Sequence, residues 1–76
     1  MESKYYIGAD IGQGDDFSVI MVTKMSPHGI ATVIRAENYD LRRLTEYEKL
    51  MKFQAFIKEE QENYPTALTL ITQYNK

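Results

Sequence analysis

Apolar and polar side chains alternate with period two from Lys4 to Ile11, placing Tyr5, Ile7, Ala9 and Ile11 on one side and Tyr6, Gly8 and Asp10 on the other. A strand with one buried face has this pattern. Gly12-Gln13-Gly14-Asp15-Asp16 follows, and residues that tolerate positive φ or bond their own backbone reverse a chain into a hairpin. Phe17 to Met25 predicts a second strand, with Phe17, Val19 and Met21 opposed to Ser18, Ile20 and Val22. Apolar residues on both sides predict a central strand covered on two faces. Ser26-Pro27-His28-Gly29 supplies the next turn, with proline fixing φ at about −65° and glycine free to take the left-handed position. Ile30 to Ala36 alternates again and gains charge toward its end, as suits an edge strand.

Beyond an irregular connection over 37–43, Thr45 stands three residues before Glu48, the spacing of a capping box. The spacing predicts a helix from Thr45 that ends at Asn63-Tyr64-Pro65, because proline disfavours helical geometry in the residue before it. Tyr47, Leu50, Met51, Ile57 and Gln61 form its predicted apolar face, widened on one flank by Phe53 and Phe56. Ala67 to Tyr74 alternates once more and predicts a fourth strand. The expected fold class is therefore α+β: a β-β-β-α-β open mixed sheet with one helix on one face, reached by a right-handed crossover. One sheet face is assigned Tyr6, Ile20 and Val22. The pattern does not fix which face the helix covers, but one apolar face stays under-covered and favours a dimer or a protein partner.

Composition narrows the class. Seventy-six residues with 43% hydrophobic content predict one small domain spanning 1–76. A core of this size supplies no more than ~3–5 kcal/mol of stability, so self-association is in keeping with it. There is no cysteine, which removes disulfides, thiolate zinc sites and thiol nucleophiles together. Nine Lys and Arg against eleven Asp and Glu leave a net charge of −2, too near neutral for a chain that coats nucleic acid by counterion release. No apolar run is long enough for a membrane span, and no basic apolar leader is expected from the first residues.

Candidate chemistry centres on the first hairpin. Asp10 is a carboxylate inside a strand, a position disfavoured by β propensity unless it faces solvent or is held by a cation or partner. Gly12 and Gly14 leave the backbone open to a phosphate or a metal-bound ligand, and Asp15 and Asp16 bring further carboxylates across the hairpin. Oxygen donors without nitrogen or sulfur select Mg²⁺ or Mn²⁺ over zinc. An ordinary polar hairpin loop has the same composition. A dinucleotide fingerprint is excluded, since a strand rather than a helix follows the glycines. His28 reads as a solvated turn residue, and Arg35, Arg42, Arg43, Lys49 and Lys52 as a charge-balanced face, given Glu37, Asp40, Glu46 and Glu48 among them. Glu59, Glu60 and Glu62 near the helix end read as surface residues, and the six tyrosines as core edges or interface residues.

The stretch Gly8-Ala9-Asp10-Ile11-Gly12-Gln13-Gly14-Asp15-Asp16-Phe17-Ser18-Val19 resembles the opening hairpin of the ribonuclease H-like nuclease domain of phage terminase large subunits. The β-β-β-α-β order matches the first half of that fold, and actin-like ATPases share a similar first hairpin. The resemblance implies that Asp10 corresponds to a metal-binding acid of a two-metal nuclease and that Asp16, before Phe17, matches the family's frequent loop aspartate. Leu70-Ile71-Thr72-Gln73-Tyr74-Asn75 holds no carboxylate where the family has its second acid. Two-metal hydrolysis needs several carboxylates around ions ~3.5–4 Å apart. Catalysis by this chain alone is not expected. The first expectation is thus a small non-catalytic binding or regulatory protein, phage or prophage encoded, in the cytoplasm of a bacterial host, docking to a protein partner or to itself. The rival is a divalent-metal nuclease, or a fragment of one, whose site is completed by another chain and whose substrate is nucleic acid. A third is an actin-like nucleotide-binding remnant, with Gly12 and Gly14 near a phosphate.

Overall fold

The computed structural model describes residues 3–73. Strands β1 (Lys4–Ile11), β2 (Ser18–Met25) and β3 (Ala31–Tyr39) precede helix α1 (Glu46–Asn63) and strand β4 (Leu68–Gln73). They form one four-stranded sheet in the order β3-β2-β1-β4. β1 pairs antiparallel with β2 and parallel with β4, and β2 pairs antiparallel with β3. The α+β layout is the one the alternation predicts. Tyr74, given to the fourth strand above, lies outside the described residues.

Both hairpins close through their turn residues. The Asp16 amide donates to the Gln13 carbonyl at 2.9 Å, and the Gly29 amide to that of Ser26 at 3.0 Å. Gly29 has φ +86° and Gly14 has φ +56°, values that L side chains rarely adopt. β3 runs three residues further than expected, because Glu37, Asn38 and Tyr39 continue the ladder opposite Ile20, Val19 and Ser18. A register shift opposite Val22 and Thr23 leaves Ile34 without an opposite residue in β2, a bulge that bends this edge strand.

The register corrects the assignment of faces. Ile7 lies opposite Val22 and Ala9 opposite Ile20, so these four share one face. They are buried there with Phe53 and Ile57 of α1 and with Leu41. Tyr6 is on the opposite face, with Val19 and Met21. β2 is central in the sheet, as expected, but is covered on one face only: Met21 is exposed where Ile20 and Val22 are buried. Residues directly opposed across a ladder point the same way, and the alternation within each strand leaves that alignment undetermined.

The helix face is corrected as well. α1 buries Lys49, Phe53, Ile57 and Glu60, while Tyr47 is 72% and Met51 50% exposed. Phe56 is half-buried and stacks on Tyr39, with ring centroids 4.3 Å apart. Of the expected face, Ile57 is buried and Leu50 half-buried, while Tyr47, Met51 and Gln61 are exposed, because Phe53 and Ile57 carry the larger apolar load and draw their own i, i+4 row inward. The capping box is present in both directions: the Glu48 amide donates to Thr45 Oγ1 at 3.2 Å, and the Thr45 amide to Glu48 Oε1 at 3.1 Å. The bond from the Thr45 amide, with the Thr45 hydroxyl beside it, favours the ionised Glu48 carboxyl and holds its pKa below the usual value.

Candidate functional site

β1, β3 and β4 all run in one direction, so their carboxyl ends gather with the first hairpin loop and the amino end of α1 at one end of the sheet. The loop is tied down from both sides. The Gly12 amide donates to Ser18 Oγ at 3.0 Å, and the Gly12 carbonyl accepts from Lys49 Nζ at 3.2 Å. Lys49 is only 2% exposed; its aliphatic stem crosses the core edge and its ammonium also approaches Glu46 Oε1 at 3.7 Å. A Cβ on Gly12 would stand 2.4 Å from the Asp16 carbonyl oxygen and 2.5 Å from that of Phe17. Glycine is required there by the crowding of the loop on itself.

The candidate residues separate accordingly. Gly12 is buried, with its amide and carbonyl both engaged inside the protein, whereas Gly14 is exposed at the loop tip with open space around it. Asp15 and Asp16 are exposed in the loop, and Asp10 is exposed on the bare sheet face, between Val19 of β2 and Thr72 of β4. Among the described residues, no three His, Cys, Asp or Glu side chains stand close enough to hold a metal ion.

Beside the loop, Arg42 donates from Nε and Nη2 to Asp40 at 2.7 and 2.9 Å, and its guanidinium lies 4.4 Å from the Phe17 ring centroid. The fork of hydrogen bonds holds the Asp40 carboxyl at about 2, below its ordinary 3.8, while Asp40 and Asp15 help to raise the Arg42 pKa. A depressed carboxyl favours the folded state at pH above its unfolded value and loses that contribution as pH falls toward 2. In a carbon-detected titration Asp40 should change its shift at about 2, and in Arg42→Gln at a higher pH, although the Arg42 backbone amide still donates to Asp40 Oδ1 at 3.3 Å. An unchanged midpoint in the variant would exclude the fork as the cause.

Two charged residues that the sequence reading placed on the surface are buried. Besides Lys49, Glu60 is 2% exposed, with Oε1 accepting from Arg35 Nε at 3.3 Å. Its Oε2 has no hydrogen-bond partner among the described residues. Lys49 stands four residues before Phe53 and Glu60 three after Ile57, and that i, i+3/i+4 spacing was the available signal. Charge argued the other way, since Lys and Glu are almost never fully buried unless paired.

The sheet face away from α1 is the second feature. Gly8 carries no side chain between Met21 of β2 and Leu70 of β4, leaving a shallow hollow of about 420 Å³ walled by Val19, Met21, Leu70 and Thr72, with Asp10 at its rim. Leu68 and Leu70 are 61% and 62% exposed. No helix among the described residues is long and apolar enough to cross a membrane. No protein-family model matches this chain, and neither does any curated protein or solved structure.

Proposed function

We propose that this chain is a small non-catalytic binding protein, of phage or prophage origin, that docks to a protein partner or to a second copy through the sheet face opposite α1. The bare apolar face around the Gly8 hollow carries this reading. Met21, Val33, Leu68 and Leu70 are exposed large hydrophobic residues on one side of one sheet. Exposed apolar surface of this kind marks interaction sites on small proteins. The β-β-β-α-β order and the carboxyl-end position of Asp10 support the likeness to the first half of a ribonuclease H-like terminase nuclease domain.

Photo-cross-linking tests it. A benzoylphenylalanine replacing Met21 in the full chain, in cells of the organism that encodes it, should give a discrete protein adduct. The same group replacing Glu59, exposed on α1, should give none. No adduct from position 21, or equal adducts from both, would overturn the docking reading. A Mn²⁺-dependent rise in melting temperature that Asp10→Asn abolishes would favour the metal-dependent nuclease instead.

A further inference from the structure

The two edges of the sheet are built differently. β3 carries Arg35 and Glu37, with an ion-pair contact at 3.9 Å, and a bulge at Ile34. Charge and bulging are the devices by which edge strands resist pairing with other chains. β4 has neither. Its sequence Leu-Thr-Leu-Ile-Thr-Gln holds no charge and no proline, and its parallel ladder to β1 runs without a register shift. One side of β4 is bonded to β1, and the other is the outer edge of the sheet among the described residues. α1 reaches over it through a 3.0 Å hydrogen bond from Gln61 Nε2 to Thr69 Oγ1, leaving Leu68, Leu70 and Ile71 each more than half exposed.

From this asymmetry the geometry points to a second copy of the same chain as the occupant of the β4 edge, in an antiparallel β4–β4 ladder that makes one eight-stranded sheet; this goes beyond docking on the bare face, which such a ladder leaves uncovered. Self-pairing requires a two-fold axis perpendicular to the sheet, so residues opposite one another are of the same parity. Centring the axis at Leu70 places Leu70 against its own copy, Leu68 against Thr72 and Thr69 against Ile71. Every pair is uncharged and joins branched or hydroxyl side chains, the combinations that stabilise a ladder. The same operation on β3 would centre a bulged strand, and a strand from an unrelated protein has no symmetry reason to match this register.

The absence of cysteine permits a direct test. Opposed Cα atoms in an antiparallel ladder are roughly 4.5–5.5 Å apart, inside the span of a disulfide. The 76-residue chain is expected to sediment at twice its 8.9 kDa. Leu70→Cys should oxidise to a covalent dimer, while Met21→Cys, on the same face but one strand inside β1, should not. Leu70→Lys and Leu70→Glu should each be monomeric and should recover the doubled mass when mixed, provided both keep the parent circular dichroism. A monomer at all concentrations would overturn the second-copy assignment and leave the Met21 adduct as the separate test of docking. A dimer linked through position 21 and not 70 would overturn the edge and keep the face. An adduct with a different protein at the β4 edge would also overturn it.

Discussion

Phe53→Ala is expected to unfold this protein at room temperature, while Met51→Ala two residues away leaves it folded. Phe53 is fully buried against Ile7, Ala9, Ile20 and Val22. Truncating a buried phenylalanine removes its transfer free energy and leaves a cavity, together costing about 3–5 kcal/mol. A core of this size supplies no more than ~3–5 kcal/mol in total, so the loss matches the whole. Met51 is half exposed, and substitution at such a site changes stability by no more than about 0.5 kcal/mol. Urea denaturation followed by far-ultraviolet circular dichroism separates the two. Equal losses, or a larger loss at Met51, would show that the helix presents its other face to the sheet.

Gly12→Ala and Gly8→Ala add the same methyl group four residues apart and are expected to act in opposite directions. At Gly12 the new carbon would lie within 2.5 Å of two carbonyl oxygens of the same loop. The loop must then shift, straining the bonds to Ser18 Oγ and Lys49 Nζ that fasten it. Overpacking of this kind costs about 1–3 kcal/mol, a large part of the available stability. At Gly8 the added carbon meets only the Met21 carbonyl oxygen at 3.9 Å, an ordinary contact. A strand glycine loses more chain entropy on folding than alanine does, so Gly8→Ala should stabilise by about 0.5–1 kcal/mol. Thermal melts of the two variants against the parent check both signs. Destabilisation by Gly8→Ala would mean that the space beside Gly8 is filled from within the protein.

The element order was legible because each segment obeys its own period. Thr45 and Glu48 specify the helix start by local hydrogen bonding alone, and the glycines and Pro27 mark the turns. The candidate site was legible in part. Asp10 emerges on a strand, beside the glycine hairpin, where the residue types placed it. Gly12 is special for a reason other than ligand access, since what occupies the space beside it is the backbone of Asp16 and Phe17. No spacing rule within the loop reveals that overlap.

Lys49 shows most directly what lies beyond a linear reading. Its partner, the Gly12 carbonyl, is 37 residues away in sequence, and an ammonium group argues for solvent until such an acceptor is known. Glu60 is the same case at the other end of the helix, inward because Arg35 of β3 meets it there. Local alternation, turn chemistry and capping therefore determined four strands, one helix and their order, since each depends on neighbours within a few positions. Tertiary structure decided which faces meet, which helical row is buried and which edge is left unguarded. Those outcomes follow from the ladder register and from the volumes of Phe53 and Ile57, which take effect only when distant segments pack together.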